Sequence, residues 1–143
     1  MKRLFADTVY WTALTNSFDQ YHGRAIEVSE ALSPCRLFMT DLVLIKFLNA
    51  LADSGAHVRS AAVQMVETIR RNPQVSVVPM SYRTFTQSLA LYKARPDKGY
   101  SLTDCSSMLL MRERHLSEAL TTDRHFEQEG FVVLLRTPVR RPY

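Results

Sequence analysis

The chain has 143 residues, 46% of them hydrophobic and 22% charged, a size and balance that suit one globular domain around a single core and exclude wholesale disorder. Eighteen Lys and Arg against fourteen Asp and Glu give a formal charge of +4, which admits a polyanionic partner without requiring one. Cys35 and Cys105 are too few for a disulfide scaffold and build no zinc motif, and no apolar run reaches the ~18 residues of a membrane span, so a soluble, cytoplasmic protein is expected.

The charged start Met1-Lys2-Arg3 is like that of a signal peptide, but Asp7, Asn16 and Asp19 interrupt any apolar run behind it. Residues 3–7 read as a strand running directly into a helix at 8–19, where Val9, Trp11, Ala13, Leu14 and Phe18 recur at roughly helical spacing. After a polar joint with Gly23, an amphipathic stretch at 25–32 is ended by Ser33-Pro34, and 35–39 reads as a second strand. Thr40 and Asp41 are N-cap candidates for a buried helix over 42–52, closed by Asp53-Ser54-Gly55. The helix at 57–71 places Val58, Ala61, Ala62, Met65, Val66 and Ile69 on one face and stops at Pro73. A strand at 75–79 and a helix at 81–93 follow, then a turn-rich link, Arg95-Pro96-Asp97-Lys98-Gly99. A helix at 103–114, a short strand at 118–122 and a last strand at 131–135 complete the pattern. Residues 136–143, with Pro138, Pro142, Arg140 and Arg141, read as a frayed basic tail.

Strands alternating with helices imply βαβ units, hence a three-layer α/β/α sandwich with a mostly parallel central sheet, one domain over 1–136 and the tail at 137–143. Ligands of such sheets bind outside the carboxyl ends of the strands. Asp7 follows the first strand there and Asp123 follows the strand at 118–122, while Asp104 lies in the first turn of a helix. Three carboxylates meeting at one end repel one another unless a cation neutralises them, and hard oxygen donors suit Mg2+ or Mn2+. Such a centre can hydrolyse a phosphodiester. Each Asp also has a structural reading: at a helix start a carboxylate accepts backbone N–H bonds and favours the positive end of the helix dipole. Asp7 is the more informative, because a carboxylate between an apolar strand and an aromatic-rich helix needs a compensating partner.

The run Leu4-Phe5-Ala6-Asp7-Thr8-Val9-Tyr10-Trp11 resembles the opening strand and first acid of the PIN domain family, whose best-known members are VapC-type toxin ribonucleases. Tyr100-Ser101-Leu102-Thr103-Asp104-Cys105-Ser106-Ser107 resembles its third acidic motif, and Leu120-Thr121-Thr122-Asp123-Arg124-His125-Phe126 its fourth. The resemblance extends from Leu4 to Leu135. It implies a PIN-like fold and a Mg2+- or Mn2+-dependent ribonuclease in which Asp7, Asp104 and Asp123 hold the metal and an activated water attacks the RNA phosphate in line. It also implies an RNA substrate, a cognate antitoxin protein and a homodimer, with no membrane partner.

Thr40-Asp41-Leu42-Val43-Leu44-Ile45-Lys46-Phe47-Leu48-Asn49 resembles the second family motif, with Lys46 where that motif carries glutamate. A base at an acid position can pair with Asp7 and Asp123 and lower metal affinity, so the expectation is a PIN-type toxin ribonuclease weakened or silenced by Lys46. Asp41, about 140° around the helix from Lys46, does not replace the missing acid. The alternative is a noncatalytic PIN-like module that binds RNA or a protein. Arg124 and His125 follow Asp123 and can touch a phosphate, yet read first as solvated loop residues; His22, His57 and His115 have weaker claims. Thr8 and Thr103 read as caps, and Tyr10 and Trp11 as packed residues. Arg59, Arg70, Arg71, Arg83, Lys93, Arg95, Lys98, Arg112 and Arg114 are scattered, as on a solvated face, and no phosphate loop or dinucleotide fingerprint is present.

Overall fold

Five strands, all parallel, form one sheet in the order β3-β2-β1-β4-β5. The computed structural model describes residues 1–136, and the predicted basic tail at 137–143 lies outside them. The first half of the chain builds β1 (Lys2–Ala6), α1 (Thr8–Thr15), α2 (His22–Leu32), β2 (Cys35–Thr40), α3 (Asp41–Ala50), α4 (Ala56–Arg71) and β3 (Val75–Val78). The second half builds α5 (Tyr82–Ala94), α6 (Leu102–Glu113), β4 (Glu118–Leu120), α7 (Arg124–Gln128) and β5 (Val132–Val133).

The chain winds outward from β1 to β3, then returns to lay β4 on the opposite side of β1. Because parallel crossovers are right-handed, this reversal puts the early helices on one face and the late ones on the other, which is the three-layer α/β/α sandwich expected from the sequence. The core lies on both faces of the central strands. Leu4, Phe5 and Ala6 of β1 and Met39 of β2 are fully enclosed, as are Phe47 of α3, Met108 and Met111 of α6 and Phe126 of α7. Each large apolar side chain removed from water contributes about 1.5–3 kcal/mol.

Two departures from the predicted elements have local causes. Helix α1 ends at Thr15 rather than near residue 19, because Asn16 Oδ1 accepts from the Phe18 N–H and Asp19 Oδ1 from the Tyr21 N–H, so short polar side chains take backbone donors that a helix would need. Phe18, expected within that helix from its spacing, is accordingly outside it and 95% exposed. Helix α7 is the second departure; at five residues it is too short to show a hydrophobic period. The reversal of strand order between β1 and β4 makes the carboxyl ends of those two strands the topological switch point, where a crevice forms in open α/β sheets.

Candidate active site

Asp7 leaves β1 at the switch point and caps α1, its Oδ1 accepting from the Thr8 N–H at 2.8 Å. Its Oδ2 accepts from the Thr121 hydroxyl at 2.8 Å, and the same hydroxyl accepts from the Asp123 N–H at 3.1 Å. Thr121, just past β4 and fully buried, thereby fixes Asp7 and Asp123 relative to one another. Burial raises the Asp7 pKa above the usual carboxylate value. The Thr121 hydroxyl, the Thr8 N–H and the charge of Lys46 oppose that rise, and the charge of Asp104 adds to it. Both Lys46 and Asp104 therefore act on Asp7 through space.

Asp104 occupies the third position of α6 and combines both readings open to it in the sequence. Ser101 and Asp104 form a capping box: the Ser101 hydroxyl accepts from the Asp104 N–H and Asp104 Oδ2 accepts from the Ser101 N–H, each at 3.0 Å. The same oxygen lies 3.2 Å from His125 Nδ1. Asp123 caps α7, its Oδ1 accepting from the His125 N–H at 2.9 Å and lying 3.2 Å from His125 Nδ1. One ligand atom from each of Asp104, Asp123 and His125 falls within 4.8 Å of the others. The His125 ring sits against Tyr100, with centroids 5.3 Å apart in an edge-on arrangement.

The structure thus brings Asp104 and Asp123 together directly and joins Asp7 to Asp123 through Thr121. The third member of the tight cluster is His125 rather than Asp7, whose two oxygens are already hydrogen-bonded. Lys46 projects from the exposed side of α3 and forms no ion pair among the described residues, so its influence on Asp7 is through-space rather than by contact. Asp41 is tied elsewhere, its Oδ1 accepting from the Met80 N–H at 3.0 Å. Tyr10 and Trp11 are packed, at 5% exposure each. His125 and Thr121 are the residues underweighted by the sequence reading; for His125 the available signal was its place two residues beyond Asp123, the spacing at which a capping carboxylate meets a backbone N–H.

The donor set suits a hard divalent cation, with carboxylate oxygens dominant and one imidazole beside them. Asp104 Oδ1 and Asp123 Oδ2 have no hydrogen-bond partner among the described residues, which leaves each acid one oxygen for such an ion.

A parallel sheet between two helical layers, with acids gathered at its switch point, is the architecture of a PIN-like domain. Comparison with known proteins bears out the resemblance to VapC-type PIN ribonucleases. The chain is 26% identical over 133 residues to the 23S rRNA-specific endonuclease VapC20 of Mycobacterium tuberculosis, in each of two strains, across 90% of this chain and 95% of the relative. The crystal structure of that toxin, described as cleaving the sarcin-ricin loop, superposes with a TM-score of 0.79 at 27% identity, covering 90% of this chain and 96% of the other. VapBC2 from Rickettsia felis, solved with a DNA fragment from its promoter, shares the fold, with a TM-score of 0.63 at 9% identity over 92% of this chain and 96% of that one. No protein-family model matches the chain.

Proposed function

We propose that this chain is a PIN-type ribonuclease, the toxin of a type II toxin–antitoxin pair, dependent on Mg2+ or Mn2+ and weakened or silenced by Lys46. The observation that carries the reading is the convergence of Asp104, Asp123 and His125 beside Asp7 at the switch point, in a chain similar along nearly its whole length to a ribosomal-RNA endonuclease. Asp104 and Asp123 would hold the cation through their free oxygens, with Asp7 adding negative charge from behind the Thr121 bridge. When bound, such an ion neutralises the scissile phosphate and supports in-line attack by water. His125 can orient both acids or donate to a phosphate oxygen. RNA is the substrate of this reading, and a small antitoxin protein, a homodimer and a cytoplasmic setting go with it.

Lys46 favours a second reading, a noncatalytic PIN-like module that binds RNA or a protein, because its ammonium group already supplies the Asp7 carboxylate with a positive charge. Cleavage of an RNA substrate by the parent chain and by Lys46→Glu, with Mg2+ and with Mn2+, separates the two. The nuclease reading expects Lys46→Glu to gain on the order of a hundredfold in rate, and Asp104→Asn added to it to remove that gain. A Lys46→Glu protein that binds the metal yet cleaves nothing would leave the noncatalytic reading standing.

A further inference from the structure

The opposite end of the sheet carries a basic cleft to which the candidate active site gives no role. Arg3 of β1 and Arg36 of β2 are register partners, so their side chains share one face of the sheet. Both guanidinium groups sit over the ring of Phe38, at 4.9 and 5.7 Å from its centroid. Arg3 Nη1 donates to the carbonyl of Arg114, the C-cap of α6, at 3.1 Å. The three arginines, with Phe38 and Ser76, line a cleft of about 440 Å³.

Among the described residues no carboxylate forms an ion pair with any of the three, and Glu118, at the same end of β4, is held by Lys2. Apart from Arg3 Nη1, on the Arg114 carbonyl, and Arg36 Nη2, which donates to Ser76 Oγ at 3.4 Å, the N–H groups of these two stacked guanidiniums have no partner among the described residues. Guanidinium groups gathered without a counter-charge repel one another, and a group offering several anionic oxygens relieves that repulsion while accepting their forked donors. Phosphate has that chemistry.

We propose that the Arg3–Arg36–Arg114 cleft binds a backbone phosphate of RNA, as a contact separate from the acid cluster. The proposal rests on the ribonuclease reading for the nature of its ligand. Helix α6 sets the span: Asp104 lies in its first turn and Arg114 at its end, ten residues apart in sequence, or roughly 15 Å along the axis. An RNA engaging both must reach from one end of the sheet to the other.

Fluorescence anisotropy of a labelled RNA stem-loop, titrated with protein in chelator over a range of salt concentrations, tests this without any cleavage. Arg3→Gln/Arg36→Gln is expected to bind roughly tenfold more weakly, with the dependence of log Kd on log salt flattened by about one. Arg114→Gln, whose side chain makes no described hydrogen bond, reports the same loss should the double variant fail to fold. Arg36→Lys, which keeps the charge, should retain the parent slope. Unchanged affinity and slope in the glutamine variants overturn the proposal, as does binding of inorganic phosphate in the cleft that stem-loop RNA does not displace. If Lys46→Glu proves inert with metal while the arginine variants still lose RNA, the nuclease reading falls and the cleft stands; cleavage with unaltered RNA binding gives the reverse.

Discussion

Thr121 supports the candidate site through a single hydroxyl that donates to Asp7 Oδ2 and accepts from the Asp123 N–H. Replacing it with Val keeps the shape but leaves two buried polar groups short of a partner, a loss of about 1–3 kcal/mol for an unsatisfied buried group. Thr121→Ser keeps the hydroxyl and removes one methyl, about 0.8 kcal/mol. Urea unfolding should therefore rank the parent above Ser and Ser above Val, and a Val variant as stable as Ser would show that the hydroxyl is not what holds the acids. Asp7 was legible in the sequence because a carboxylate at the end of an apolar strand is costly unless something compensates it, and Asp104 and Asp123 through the likeness of their segments to acidic family motifs. Thr121 was not, since a threonine closing a strand looks the same whether its hydroxyl faces water or a carboxylate. The ammonium of Lys46 was expected to contact the acids and instead acts at a distance, a question of side-chain direction that helical spacing alone does not answer.

At the scale of elements, Glu129 ties together the three segments that frame the cluster. Following α7, it accepts from Arg95 Nε at the end of α5 at 2.6 Å, from the Tyr100 hydroxyl ahead of α6 at 3.1 Å, and from Arg112 in the last turn of α6. Burial on its own raises the carboxyl pKa, but the hydrogen bonds from Arg95 and Tyr100 and the charges of Arg95 and Arg112 outweigh it and hold Glu129 below the usual range. Tyr100 is pushed the other way, up to about 12, by burial and then by its bond to Glu129. A carboxyl more acidic in the folded than in the unfolded state stabilises the fold above its unfolded pKa, near 4.3, and that contribution disappears as pH falls through the folded value. Glu129→Gln should thus cost about 1–2 kcal/mol at pH 7, screening of the half-exposed arginines keeping it modest. The gap between variant and parent in urea unfolding should narrow below pH 4; a gap that stays constant would contradict the ion-pair account. The order of the strands and the longer helices was readable from periodicity and turn signals, whereas the five-residue α7 was not. This tie was not, because Glu129 meets residues 34 and 17 positions away in the chain.

For the whole molecule, the decisive quantity is how a divalent ion couples to folding. A ligand bound only by the folded state adds RT ln(1 + [L]/Kd), about 2.7 kcal/mol at a hundredfold excess over Kd. In a chain of this size each kcal/mol moves Tm by roughly 2–4 °C. Lys46→Glu takes the formal charge from +4 to +2, one positive charge removed and one negative added, at a position whose charge acts on Asp7 through space. The parent is expected to gain less than about 1 °C in millimolar Mn2+, and Lys46→Glu roughly 5–10 °C if Kd falls a hundredfold below the ion concentration. Lys46→Gln removes the ammonium without adding a ligand and should fall between them, separating lost repulsion from gained coordination. Adding Asp104→Asn to Lys46→Glu should abolish the shift. Equal Mn2+ shifts in the parent and both Lys46 variants would mean that the ion is held by acids beyond the reach of Lys46, and that this residue does not govern metal affinity.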